Sequence, residues 1–88
     1  MASIKNLKKY INYVLGDILD EVYIWQEEHP KEDQTEAESI IDDAINTFDN
    51  LIAKVNDQSV DNRKKHLNGV KDELMEKADG LIKRVNKL

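Results

Sequence analysis

Apolar residues recur every three or four positions in three separate stretches, and this spacing decides what the chain can fold into. In the first stretch, about residues 3–28, Ile4, Leu7, Ile11, Val14, Leu15, Ile18, Val22 and Trp25 fall within one arc of roughly 100° at helical intervals. Lys5, Lys9, Asn12, Gly16, Asp20 and Glu27 fall on the other side. In the second, about 35–56, the stripe is Ala37, Ile40, Ile41, Ala44, Ile45, Phe48, Leu51, Ile52 and Val55. In the third, about 60–88, it is Leu67, Val70, Leu74, Ala78, Leu81, Val85 and Leu88. Each stretch therefore predicts an amphipathic helix with one side to bury.

The boundaries carry their own signals. Ser3 suits an N-cap for the first helix, and Pro30 ends it by disfavouring helical backbone at His29. Thr35-Glu36-Ala37-Glu38 matches a capping box, so Thr35 and Glu38 are expected to satisfy each other's backbone amides. Asn56-Asp57-Gln58 ends the second helix and Ser59 is expected to cap the third. Gly80 is in a position to stop the third helix early. Leu81, Val85 and Leu88 stay in phase with Leu74, however, so the helix is expected to continue. Short loops between long helices force antiparallel neighbours. The predicted fold is all-α, an antiparallel up-down-up three-helix bundle in a single domain over residues 1–88, with roughly two dozen apolar side chains in its core.

Charge is distributed by segment. Residues 1–16 carry +3, residues 17–61 carry −12 and residues 62–88 carry +4, for a net charge of −5. In the predicted topology Glu27, Glu28, Glu32, Asp33 and Glu36 share one end with Lys83, Arg84 and Lys87, and are expected to pair with them. Lys5, Lys8, Lys9, Arg63, Lys64 and Lys65 gather at the opposite end, offset by Asp49, Asp57 and Asp61. The net negative charge argues against nucleic acid as a partner, since non-specific binding needs a basic footprint.

The chemical inventory is narrow. The chain has no cysteine, which removes disulfides, thiolate catalysis and cysteine metal sites and fits a cytoplasmic protein. The longest apolar run, Val22–Trp25, is far too short for a membrane span, and with Met1 at its start the chain is expected to be soluble and complete. His29 lies among Glu28, Glu32, Asp33 and Glu36, but in a loop without fixed ligand spacing; a solvated acidic loop is the expectation, not a metal site. His66 follows the basic run Arg63–Lys65. Asp42 and Asp43 are adjacent, but neighbours on a helix diverge by about 100°, so they form no acid–base pair. Two histidines and three serines offer no triad, and no glycine-rich phosphate loop is present. Neither enzymatic activity nor a cofactor is expected.

Two surfaces remain. Tyr13 and Ile24 lie well off the first helix's stripe, Tyr23 lies on a flank, and Leu19 lies at the stripe's edge; apolar side chains placed there suit a protein partner or a second copy of the chain. Ile45 and Ile82 stand near the margins of their own faces. The alternative is anion binding by Lys5, Lys8, Lys9, Arg63, Lys64 and Lys65, without interleaved aromatics to stack bases.

The segments Asn6-Leu7-Lys8-Lys9-Tyr10-Ile11-Asn12-Tyr13-Val14-Leu15-Gly16-Asp17 and Phe48-Asp49-Asn50-Leu51-Ile52-Ala53-Lys54-Val55-Asn56-Asp57 resemble small bacterial all-helical proteins that carry no assigned function. The resemblance extends over nearly the whole chain. It implies a bacterial cytoplasmic protein and assigns no activity, cofactor or site residue.

Overall fold

The computed structural model describes residues 4–57 and 59–88, which form three helices: α1 (Ile4–Glu28), α2 (Thr35–Asn56) and α3 (Arg63–Asn86). All three pack against one another in a rod of 50 × 17 × 17 Å. No described residue is in a strand. The fold is an all-α three-helix bundle.

The core is the three stripes brought together. Leu7, Ile11, Leu15, Ile18 and Val22 from α1 meet Ala37, Ile40, Ala44, Leu51 and Val55 from α2 and Leu67, Val70, Leu74, Ala78 and Leu81 from α3. Ile4, Val14, Leu19, Trp25, Ile41, Phe48, Ile52, Val85 and Leu88 pack around them, half-buried. Among the described residues no polar or charged side chain is buried, so apolar burial at about 25 cal/mol per Å² is the main stabilising term.

The first loop is closed by hydrogen bonds. The ring of His29 stacks on Trp25, with centroids 4.9 Å apart, and its Nδ1–H donates to the Trp25 carbonyl at 2.9 Å. Gln34 Nε2 donates to the carbonyls of His29 and Glu32, at 2.8 and 3.1 Å.

Two caps differ from the sequence expectation. Thr35 and Glu38 form no capping box. The Thr35 hydroxyl and amide both donate to Asp33 Oδ1, at 2.7 and 2.9 Å, and Gln34 occupies the N-cap position with no side-chain cap bond. Ser59 makes the same turn with Asp57 Oδ1, at 2.6 Å from its hydroxyl and 3.0 Å from its amide. With Ser59 committed there, Asn62 caps α3 by accepting from the Lys65 amide at 3.0 Å, and the helix starts at Arg63, not at residue 60. Thr35 with Asp33 and Ser59 with Asp57 thus make the same pair of hydrogen bonds, hydroxyl and amide to one carboxylate oxygen, in the two loops. Each carboxylate is held below the ordinary aspartate pKa, first by the side-chain hydroxyl and then by the amide it accepts from. The expected Ser3 cap lies outside the described residues. Gly80 does not end α3, which runs on to Asn86 with no left-handed residue.

Candidate interaction surface

Three grooves run along the bundle, and their chemistry differs. The α2–α3 groove is polar. Arg84 reaches across it, donating from Nε to Glu36 Oε1 at 3.0 Å, from one terminal nitrogen to Asp43, and from the other to Ser39 Oγ at 2.9 Å. Nearer the other end Lys54 Nζ bonds both carboxylate oxygens of Glu73, at 2.6 and 2.9 Å. The Asp43 hydrogen bond contributes most to holding the Arg84 guanidinium protonated, raising its pKa against partial burial. Of the acid–base meetings expected at this end, Glu36 with Arg84 forms. Lys83 instead pairs with Asp79 one turn back on its own helix, at 3.0 Å. Asp43 is an Arg84 partner that the sequence did not single out. These groups already satisfy one another, so the groove is a latch between helices.

The α1–α3 groove is partly capped by its own side chains. The Tyr10 hydroxyl approaches Met75 Sδ at 3.5 Å and the Lys71 ammonium sits 6.0 Å from the Tyr10 ring centroid. Met75 and Ile82 stay exposed along this seam, the latter beside Ile18, Glu21 and Val85.

The α1–α2 groove is the apolar one. Asn12, Leu15, Gly16, Leu19, Ile45 and Phe48 line a shallow depression of about 220 Å³ that is open to solvent. Leu19 packs half-buried as its wall, whereas Ile45 is exposed on its rim. Tyr23 follows Leu19 by one turn and Gly16 by two on the same flank. Tyr13 precedes Gly16 by one turn. Tyr13 and Ile24, three turns apart on the outermost line of α1, are 65% and 50% exposed, and Tyr23 is 46% exposed. Of the four residues singled out, Leu19 belongs to the groove itself, Tyr23 flanks it, and Tyr13 and Ile24 lie further around the outer face of α1. Ile45 and Phe48 supply the α2 side, which only the register of the two helices brings into place.

The parallel run of α1 and α3 sets Lys5, Lys8 and Lys9 at the same end as Arg63, Lys64 and Lys65. None of the six is in an ion pair among the described residues. Lys5, Lys8 and Lys9 lie on the flank that Asn12, Gly16 and Leu19 continue. His66, beside them in sequence, is turned inward and donates from Nε2 to the Lys54 carbonyl at 2.6 Å, tying α3 to the end of α2.

Among the described residues no three His, Asp or Glu side chains are grouped to hold a metal ion, and no helix is long and apolar enough to cross a membrane. No protein-family model, curated protein or solved structure matches the chain.

Proposed function

We propose that this chain is a non-enzymatic protein-interaction module that docks through the α1 flank bearing Tyr13, Leu19, Tyr23 and Ile24 and the apolar groove between α1 and α2. The observation that carries the reading is the groove. Its lining is almost entirely apolar, with Ile45 exposed on it and Tyr23 exposed one turn beyond Leu19. Aromatic and large aliphatic side chains around a shallow apolar depression are the usual makings of a binding hot spot. Catalysis has little to work with: both histidine rings donate to helix-end carbonyls, and the carboxylates of Asp42 and Asp43 are exposed. The absence of cysteine supports a cytoplasmic setting, and the resemblance supports a bacterial one.

A photo-crosslinking residue placed at Tyr23, with a control at Asp72 on α3, tests the docking face in the cell of origin. Adducts at position 23 and none at position 72 are expected. Equal labelling at both, or none at either, would refute the assignment.

A second reading has one observation in its favour: six basic side chains at one end of the bundle lack ion-pair partners among the described residues. They would bind anions such as nucleic acid or an anionic membrane surface. Titration with single-stranded DNA and with phosphatidylserine vesicles at low salt, where such attraction is strongest, decides it. Lack of binding under those conditions eliminates the patch.

A further inference from the structure

We propose that the occupant of the α1–α2 groove is a second copy of this chain, packed antiparallel about a two-fold axis that passes beside Gly16. The inference rests on the docking face proposed above and specifies its partner. A closed two-fold dimer presents the same patch twice, so the patch must be complementary to itself after reversal. This face meets that condition in position, shape and charge.

Position comes from the helix bounds. Gly16 is the central residue of α1, twelve residues from Ile4 and twelve from Glu28, and Ile45 stands at the middle of α2. The groove they line is therefore at mid-length of the rod, where a perpendicular two-fold axis exchanges the ends and brings groove onto groove.

Shape comes from Gly16. Nothing lies within 4 Å of the place a Cβ would occupy, and its φ is not positive. The fold itself asks for no glycine there, and glycine weakens a helix interior. A bare stretch of backbone on the axis lets two α1 helices approach closely, the use glycine serves wherever backbones meet.

Charge decides the direction. Lys5, Lys8 and Lys9 lie at one end of α1, and Glu27 and Glu28 at the other, with Glu36 and Glu38 of α2 beside them. A parallel pair sets like charges side by side. The antiparallel pair sets Lys5 against Glu27 of the second copy, each eleven residues from Gly16, and Lys9 against its Tyr23, each seven away. Tyr13 and Leu19, each three residues from Gly16, come to the same height on either side of the Gly16 contact. The 50 × 17 Å side of the rod is of the size that a standard interface buries on each partner, about 800 Å².

Sedimentation equilibrium over a wide concentration range tests the proposal. The wild type is expected to reach twice the 10.2 kDa chain mass. Lys5→Glu or Glu27→Lys alone reverses two symmetry-related pairs and should weaken the dimer roughly tenfold, and the double variant should restore it. Gly16→Leu should stay folded by circular dichroism, since its Cβ meets nothing within 4 Å and leucine favours a helix, and should be monomeric. A wild type that remains monomeric at millimolar concentration overturns the proposal. So does a dimer indifferent to Gly16→Leu, or one that the double charge exchange fails to restore. The crosslinks at Tyr23 separate the two levels. Adducts to a foreign protein from a monomeric chain would remove the second copy and leave the docking face, whereas no adducts would remove both.

Discussion

Gly80→Ala should stabilise the protein. Gly80 is exposed in the interior of α3, six residues before its end, and no glycine has positive φ. An added Cβ would meet nothing within 4 Å. The substitution therefore adds no strain and no clash. What remains is the intrinsic cost of glycine in a helix, about 1 kcal/mol relative to alanine, much of it from the freedom glycine gives the unfolded chain. For a domain of this size 1 kcal/mol raises Tm by roughly 4–8 °C. Thermal and urea unfolding followed at 222 nm would measure it, at one fixed protein concentration so that association contributes equally to every variant. Gly69→Ala, also exposed and also facing open space, is the companion: the two effects should add within about 0.5 kcal/mol. A fall in Tm for Gly80→Ala would refute the reasoning. It would mean that Gly80 holds a left-handed cap and that Leu81, Val85 and Leu88 do not continue the helix.

Leu51→Ala, at a fully buried core site, should cost about 2–5 kcal/mol in urea unfolding; a loss below about 1 kcal/mol would deny that the core closes there. Asn62→Ala should cost about 1 kcal/mol and speed amide exchange at Lys65, while Ser59→Ala should leave the start of α3 protected. The lowered pKa of Asp33 and of Asp57 means that the folded state takes up protons less readily than the unfolded one. Their stabilisation is present above the ordinary aspartate pKa of about 4 and is lost as pH falls through the lowered folded value. Carboxyl titration by NMR should find both groups ionised at a pH where exposed aspartates are half protonated, and Thr35→Val should return Asp33 toward the ordinary value.

The helices and core were legible because burial follows periodicity. Leu7, Ile11, Leu15, Ile18 and Val22 are the centre of the stripe drawn from spacing alone, and all are buried. The phase of Leu81 and Val85 against Leu74 was enough to carry α3 past Gly80. Caps were harder, since they are competitions among neighbouring acceptors. Thr35 had both Glu38 and Asp33 within reach, and Asp33 received its hydroxyl and its amide. Ser59 and Asn62 are both good N-caps, and Asp57 claimed the serine. Long-range partners depend on relative helix height, which a single sequence does not encode locally. Glu36 with Arg84 followed from the ends of the bundle. Asp43, two turns further along α2, reaches Arg84 only because α3 runs alongside at that height. The same register converts Leu19 from an edge residue into a groove wall by setting Ile45 and Phe48 opposite it.

The docking face on α1 and α2 is tested most directly by a dilution series of ¹H–¹⁵N spectra of the wild-type chain. Concentration-dependent shifts are expected along Asn12–Tyr23 and around Ile45 and Phe48, with α3 residues such as Asp72 and Asp79 unmoved. Spectra that do not change with concentration, or shifts centred on α3, would contradict self-association through this face.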